Sequence, residues 1–230
     1  MALPKEIKID PSWKGMIKWG GFSLFLAGVI VIVFIVGIGY FKIALPLEPL
    51  ATLENPTVPA LLFLSTLVGE FLLFPGFLAL YFSLRDSDKV KMLMATVFSA
   101  LSVIMFFVSR GSIIAISKWS DSYKQAGTAY GKAVYLASAE VVLKTQDVYS
   151  TIALTLLSIA SIYAGSVMLK SKIFSRIMSY IVILAGIFSI ITPFAVNFGI
   201  PLAISLIGLV LMLIWQITIG IKLFKAGNKL

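Results

Sequence analysis

The chain has 230 residues, 60% of them hydrophobic and 13% charged, with a mean hydropathy of +1.03. Soluble domains carry roughly a quarter charged residues, so this composition belongs in a bilayer, with room for about six spans and short connections. The net charge is +9, and there is no Cys and no His, which excludes disulfides, thiolate nucleophiles, imidazole metal ligands and histidine-ligated haem.

The basic residues flank apolar runs, so the charge is assigned to topology and anionic headgroups, and nucleic acid is disfavoured as a partner. Met1–Lys18 is polar and of mixed charge. It lacks the apolar core and small-residue cleavage site of a signal peptide and is read as a cytoplasmic segment, residues 1–18. Trp13 and Trp19 bracket the start of the first span, Trp19–Phe41, as interfacial anchors. Gly20, Gly21, Gly28, Gly37 and Gly39 thin one side of that span and suit close helix packing better than a pore lining. Leu45–Pro59 holds four prolines in fifteen residues and is expected to be an irregular, extended loop.

Val58–Leu84, the second span, carries Glu70 near its middle and Pro75 five positions later. A charge at that depth costs roughly 2.5 kcal/mol or more unless it is answered. After the tight charged turn Arg85–Lys91, the third span runs from Met92 to about Ser117 and contains Arg110. Lys118–Gln146 is the longest connection. Its Ala-rich spacing and the Glu140/Lys144 pair at i,i+4 predict helix, either an interfacial one or an extension of the next span.

The fourth span, Val148–Leu169, has a small-residue face of Ser158, Ser161, Ala164 and Gly165, suited to a helix of this chain, a second copy or a partner protein. A basic turn, Lys170–Arg176, leads to the fifth span, Ile177 to about Phe194. Pro193 and Pro201 flank an uncharged outer turn containing Asn197, and the sixth span ends near Ile221. The domain boundaries that follow are a six-helix transmembrane domain over residues 19–225, an outer helical connection at 118–146 and a cytoplasmic tail at 226–230. Thirteen of the nineteen Lys and Arg fall on the side of the two chain ends, which places both termini in the cytoplasm.

Depth bookkeeping links the buried charges. Glu70 lies fourteen residues, roughly 21 Å, from the end of its span; Arg110 lies nineteen residues, roughly 28 Å, from the same face. The ~7 Å difference is within reach of an arginine side chain, and the short turn makes the two helices antiparallel neighbours. An ion pair follows if both face inward. Asp147 opens the fourth span, where it would cap that helix or join Arg110. Gln216, beside Trp215 in the last span, is expected to hydrogen-bond across helices. Pro75 frees the carbonyl of Phe71, as a kink or as an oxygen for an ion.

The bland reading of this cluster is a structural tie that fixes register; the sharp one is an ion or small-solute site at Glu70. No nucleophile–base pair, glycine-rich phosphate loop or acidic metal cluster can be assembled, so no cofactor, metal or catalytic residue is assigned and an enzyme is not expected. A non-enzymatic scaffold or accessory subunit of the cell membrane is the favoured function.

The order and spacing of several stretches add to this. GEFLLFPGFLALYFSLRD, the third helix through VSRG, TQDVYSTIALTLLSIASIYAG, SKIFSRIMSYIVILAG and IWQITIGIKLFKAG together resemble a large uncharacterised family of prokaryotic six-helix membrane proteins, known only as a domain of unknown function. The resemblance implies an all-α polytopic bundle and puts Glu70, Arg110 and Asp147 on charged positions of the family pattern. Two departures stand out: Ile113 and Gln216 occupy positions where the family usually carries carboxylates.

Overall fold

The computed structural model describes residues 11–43, 47–195 and 202–229. Asn197 and the outer turn expected around it, most of the N-terminal segment and residues 44–46 lie outside them. After a 3₁₀ turn at Pro11–Trp13, the described residues form α1 (Lys14–Phe41), α2 (Pro49–Glu54), α3 (Thr57–Leu84), α4 (Lys89–Gln125), α5 (Ala129–Met168), α6 (Arg176–Ala195) and α7 (Leu202–Lys229), with no strand. Five helices, α1, α3, α4, α5 and α7, are long and apolar enough to cross a bilayer, and α6 is a shorter apolar helix. α1 begins before, and α7 runs beyond, the 19–225 boundaries expected from sequence.

The helices pack as a ring: α1 on α3, α3 on α4, α4 on α5, α5 on α6, α6 on α7, and α7 back on α1. The periodicity explains the closure. Along α3, Pro59, Phe63, Thr66, Glu70, Leu73, Phe77, Leu80 and Leu84 are all buried at alternating four- and three-residue steps, one inward stripe. Outside it, each long helix exposes a stripe such as Val68 and Phe71, Leu101 and Ile104, or Ile207 and Val210. Exposed apolar surface on every helix, with backbone groups satisfied inside the helices, is the surface of a protein solvated by lipid.

Glycines set the tightest seam. A Cβ on Gly21 would strike the backbone of Phe224 and lie 2.8 Å from the Gly220 carbonyl oxygen; one on Gly220 would lie 2.5 Å from Phe25 N. α1 and α7 therefore touch backbone to backbone. Ser158, Ser161, Ala164 and Gly165 are likewise buried, with Gly165 against Ile183 of α6. Of the occupants that suit this face, the fold uses a helix of this chain, because close helix approach inside the ring needs small residues.

One connection departs from the sequence expectation, and a second takes one of its two expected forms. Leu45–Pro59 is not extended throughout, since it contains α2 and the first turn of α3. Its three described prolines sit where a missing N–H costs nothing: Pro49 at the start of α2, Pro56 at the N-cap of α3 and Pro59 in the first turn. Residues 118–146 are an extension of both neighbouring spans rather than a separate interfacial helix. α4 and α5 are 37 and 40 residues long, ~55–60 Å against a hydrocarbon core of ~30 Å, and they meet at a short turn near Gly127. The projecting hairpin has its own small core of Leu53, Ile116, Ala139 and Leu143, and the Ser120 hydroxyl donates to the Leu53 carbonyl at 2.6 Å, fastening α2 to it.

Candidate functional site

Two helix directions bring the buried charges together. Side chains lean toward their own helix N-terminus, so Glu70 on α3 leans toward the hairpin side and Arg110 on the antiparallel α4 leans back toward the turn side. The ~7 Å offset in depth is closed by these opposed leans. Arg110 Nη2 lies 2.6 Å and Nε 3.2 Å from Glu70 Oε1, with the two side chains 13% and 11% exposed.

The geometry is asymmetric. Both guanidinium contacts fall on Oε1, and the buried Oε2 has no hydrogen-bond partner among the described residues. The guanidinium is flanked by the rings of Phe63 at 5.1 Å and Phe106 at 5.4 Å, cation–π contacts from the helices that carry the pair. Its Nη1 reaches the Ser150 hydroxyl of α5 at 3.4 Å, and Ser150 in turn bonds Ser109 at 2.7 Å. Ser109 donates to the Gln146 carbonyl, as Ser102 does to the Ala153 carbonyl one heptad away, in the same antiparallel register. The charge pair thus ties α3 to α4, and the serine network carries the tie on to α5.

Asp147 stands differently from expectation. It lies in the middle of α5, whose N-cap is Thr128, with its Oγ1 accepting from Gly131 N at 3.1 Å. It caps nothing, because α5 begins at Ala129, eighteen residues before it. Asp147 is exposed and forms no ion pair among the described residues, although it feels the Arg110 charge. Gln216 is buried and packs on Gly28 of α1, and its Oε1 has no hydrogen-bond partner among the described residues. Among the described residues the expected cross-helix hydrogen bond is not formed by this oxygen, which faces a glycine of α1 that offers no side chain. Beside it, Trp215 donates to Met212 Sδ at 2.9 Å and meets Phe77 edge-on.

Phe63, Phe106, Ser109 and Ser150 were not singled out from sequence. The available signal was the seven-residue spacing of Ser102 and Ser109, which marks one face of α4. α3 runs uninterrupted through Pro75. Two cavities stand out, and both lie on the hairpin side: about 460 Å³ between the end of α1 and α2, and about 350 Å³ beside Trp119 and Val141. Neither is lined by Glu70 or Arg110. Among the described residues no acidic group of three or more is placed to hold a metal.

Residues 23–227 match the family model of DUF4386, a domain of unknown function. The chain belongs to the DUF4386 family. The match runs from the first turns of α1 to the end of α7, so the DUF4386 unit is the closed ring itself and includes Glu70, Arg110, Asp147 and Gln216. No curated protein matches this DUF4386 chain, and no solved structure does.

Proposed function

We propose that this DUF4386 protein is a non-enzymatic, multi-pass protein of the plasma membrane, a scaffold or accessory subunit in which Glu70–Arg110 is a structural tie. The observation that carries the reading is that Arg110 holds Glu70 through two nitrogens on one oxygen while Phe63 and Phe106 wall it in. A neutral, enclosed pair fixes helix register and offers no relay. The α4–α5 hairpin supplies a scaffold's other need, a firm projection beyond the bilayer that exposes Tyr130, Val134 and Val141 to a partner protein or a second copy. Both described chain ends lie on the basic side, which the positive-inside rule puts in the cytoplasm.

One observation favours a second reading, a site for a small ion or solute: the unpartnered Glu70 Oε2. Reconstitution into vesicles separates the two. Wild-type protein should pass no more protons or alkali cations than empty vesicles, and Glu70→Gln should leave this unchanged while lowering thermal stability, because it strands the Arg110 charge. Flux well above background that disappears in a folded Glu70→Gln variant would replace the scaffold with a transporter.

A further inference from the structure

The two ends of the bundle differ in charge far more than its shape requires. On the turn side, which carries the starts of α1, α4 and α6 and the end of α7, the described residues include eleven Lys and Arg against only Asp86 and Asp88. On the hairpin side five basic residues face five acidic ones, and the buried pair cancels itself. The two turn-side acids are already engaged: Asp88 with Lys170 at 3.1 Å, and Asp86 with Arg85 at 3.9 Å. Lys14, Lys18, Lys172, Arg176, Lys222 and Lys225 form no ion pair among the described residues.

The placement is costly for the chain by itself. α1 and α6 open on this face with Lys14 and Arg176 as their first residues and no acid in the first turn, so cations sit at positive helix ends, and only α4 has an acid, Asp88, at its N-cap. The fold also gathers the charges. Gly227 lets α7 lie directly against Lys18, whose ammonium stands 5.4 Å over the Phe224 ring; Lys222 stands 5.1 Å over Phe174, the residue midway between Lys172 and Arg176. Ammonium groups held over ring faces at the helix ends keep their charge gathered at the level where anionic headgroups lie.

We propose that the turn face is a binding surface for the phosphate headgroups of anionic phospholipids, centred on the α1–α7 seam at Lys18, Lys222 and Lys225 and continued by Lys172 and Arg176. The charges lie at the ends of the membrane helices, level with the headgroups of their own leaflet, and that position selects lipid over a soluble acidic protein. Lysine point charges around one Arg suit phosphates of varied geometry rather than one fixed ligand.

The test uses the full chain in a mild detergent, with thermal unfolding and native mass spectrometry as readouts. Phosphatidylglycerol, phosphatidylcholine and free glycerol phosphate are added in turn. Phosphatidylglycerol should raise Tm by several degrees and remain bound in the gas phase, and the other two should do neither. Lys18→Gln/Lys222→Gln/Lys225→Gln should lose at least half of the shift and of the bound lipid, while Lys118→Gln/Lys124→Gln/Lys132→Gln on the hairpin should keep both. If the turn-face triple variant fails to fold, Lys222→Gln and Lys225→Gln are read singly, with Lys222→Arg expected to restore binding. Equal stabilisation by phosphatidylcholine, an equal effect of glycerol phosphate, or undiminished lipid retention in the turn-face variants would overturn the proposal.

Discussion

Replacing Arg110 with Ala removes both hydrogen bonds to Glu70 Oε1 and leaves a carboxylate whose other oxygen already lacks a partner. The side chain of Glu70 is 11% exposed, so water replaces little of what is lost. Stranding one member of a buried pair costs about 3–5 kcal/mol, and a carboxylate at mid-helix in a bilayer costs ~2.5–3.5 kcal/mol by insertion scales, so two independent magnitudes agree. Replacing both residues with Leu removes the buried charges together and is expected to be neutral, or to stabilise by ~1–4 kcal/mol. The two variants should therefore differ by at least about 3 kcal/mol. For a chain of this size that gap corresponds to roughly 6 °C or more in Tm, readable by thermal unfolding in lipid nanodiscs. If Arg110→Ala and the Glu70→Leu/Arg110→Leu double variant lose equal stability, the pair is not an uncompensated-charge problem and the tie as described is wrong.

Three further outcomes are expected. Gly220→Ala, which puts a Cβ 2.5 Å from Phe25 N, should cost about 1–3 kcal/mol or more by forcing α1 and α7 apart, whereas Gly111→Ala, with nothing within 4 Å, should stay within ~1 kcal/mol; parallel unfolding curves check the contrast. Asp147→Asn should leave thermal stability within about 0.5 kcal/mol, since Asp147 is exposed and bonds to nothing described; a larger loss would mean that it shares Arg110. The Lys91 backbone N–H, followed by Lys170, holds the Asp88 carboxyl below its usual value. Its contribution to stability is therefore present above the unfolded carboxylate range and lost as pH falls through the lower folded value, below about pH 4. Asp88→Asn should flatten the decline of Tm between pH 5 and 3, and an unchanged acid limb would count against this cap.

Spacing and hydropathy are local properties, and they carry the membrane assignment, the helical class and the depths of the buried charges. Val58–Leu84 reads as one span because its apolar run is unbroken except at Glu70, and α3 covers almost the same residues. The proline-rich stretch before it differs from its sequence expectation for an equally local reason: prolines in the first turn of a helix and in a loop look alike in one dimension. Asp147 shows the limit more sharply. Its hydropathy context marks the edge of an apolar run, yet α5 begins at Ala129, because Ala139 and Leu143, spaced among polar residues before Asp147, pack on α4 and α2 as a hairpin.

What this chain's sequence decides alone is its solvent: too few charges and too many long apolar runs for water, with the basic residues set at the helix ends. Which oxygen of Glu70 is held, which serines extend the tie to α5, and that Gln216 faces a glycine are decided only when six helices close into a ring. The reason is rotation: depth along a helix follows from counting residues, but the direction a side chain faces depends on which neighbours the helix packs against.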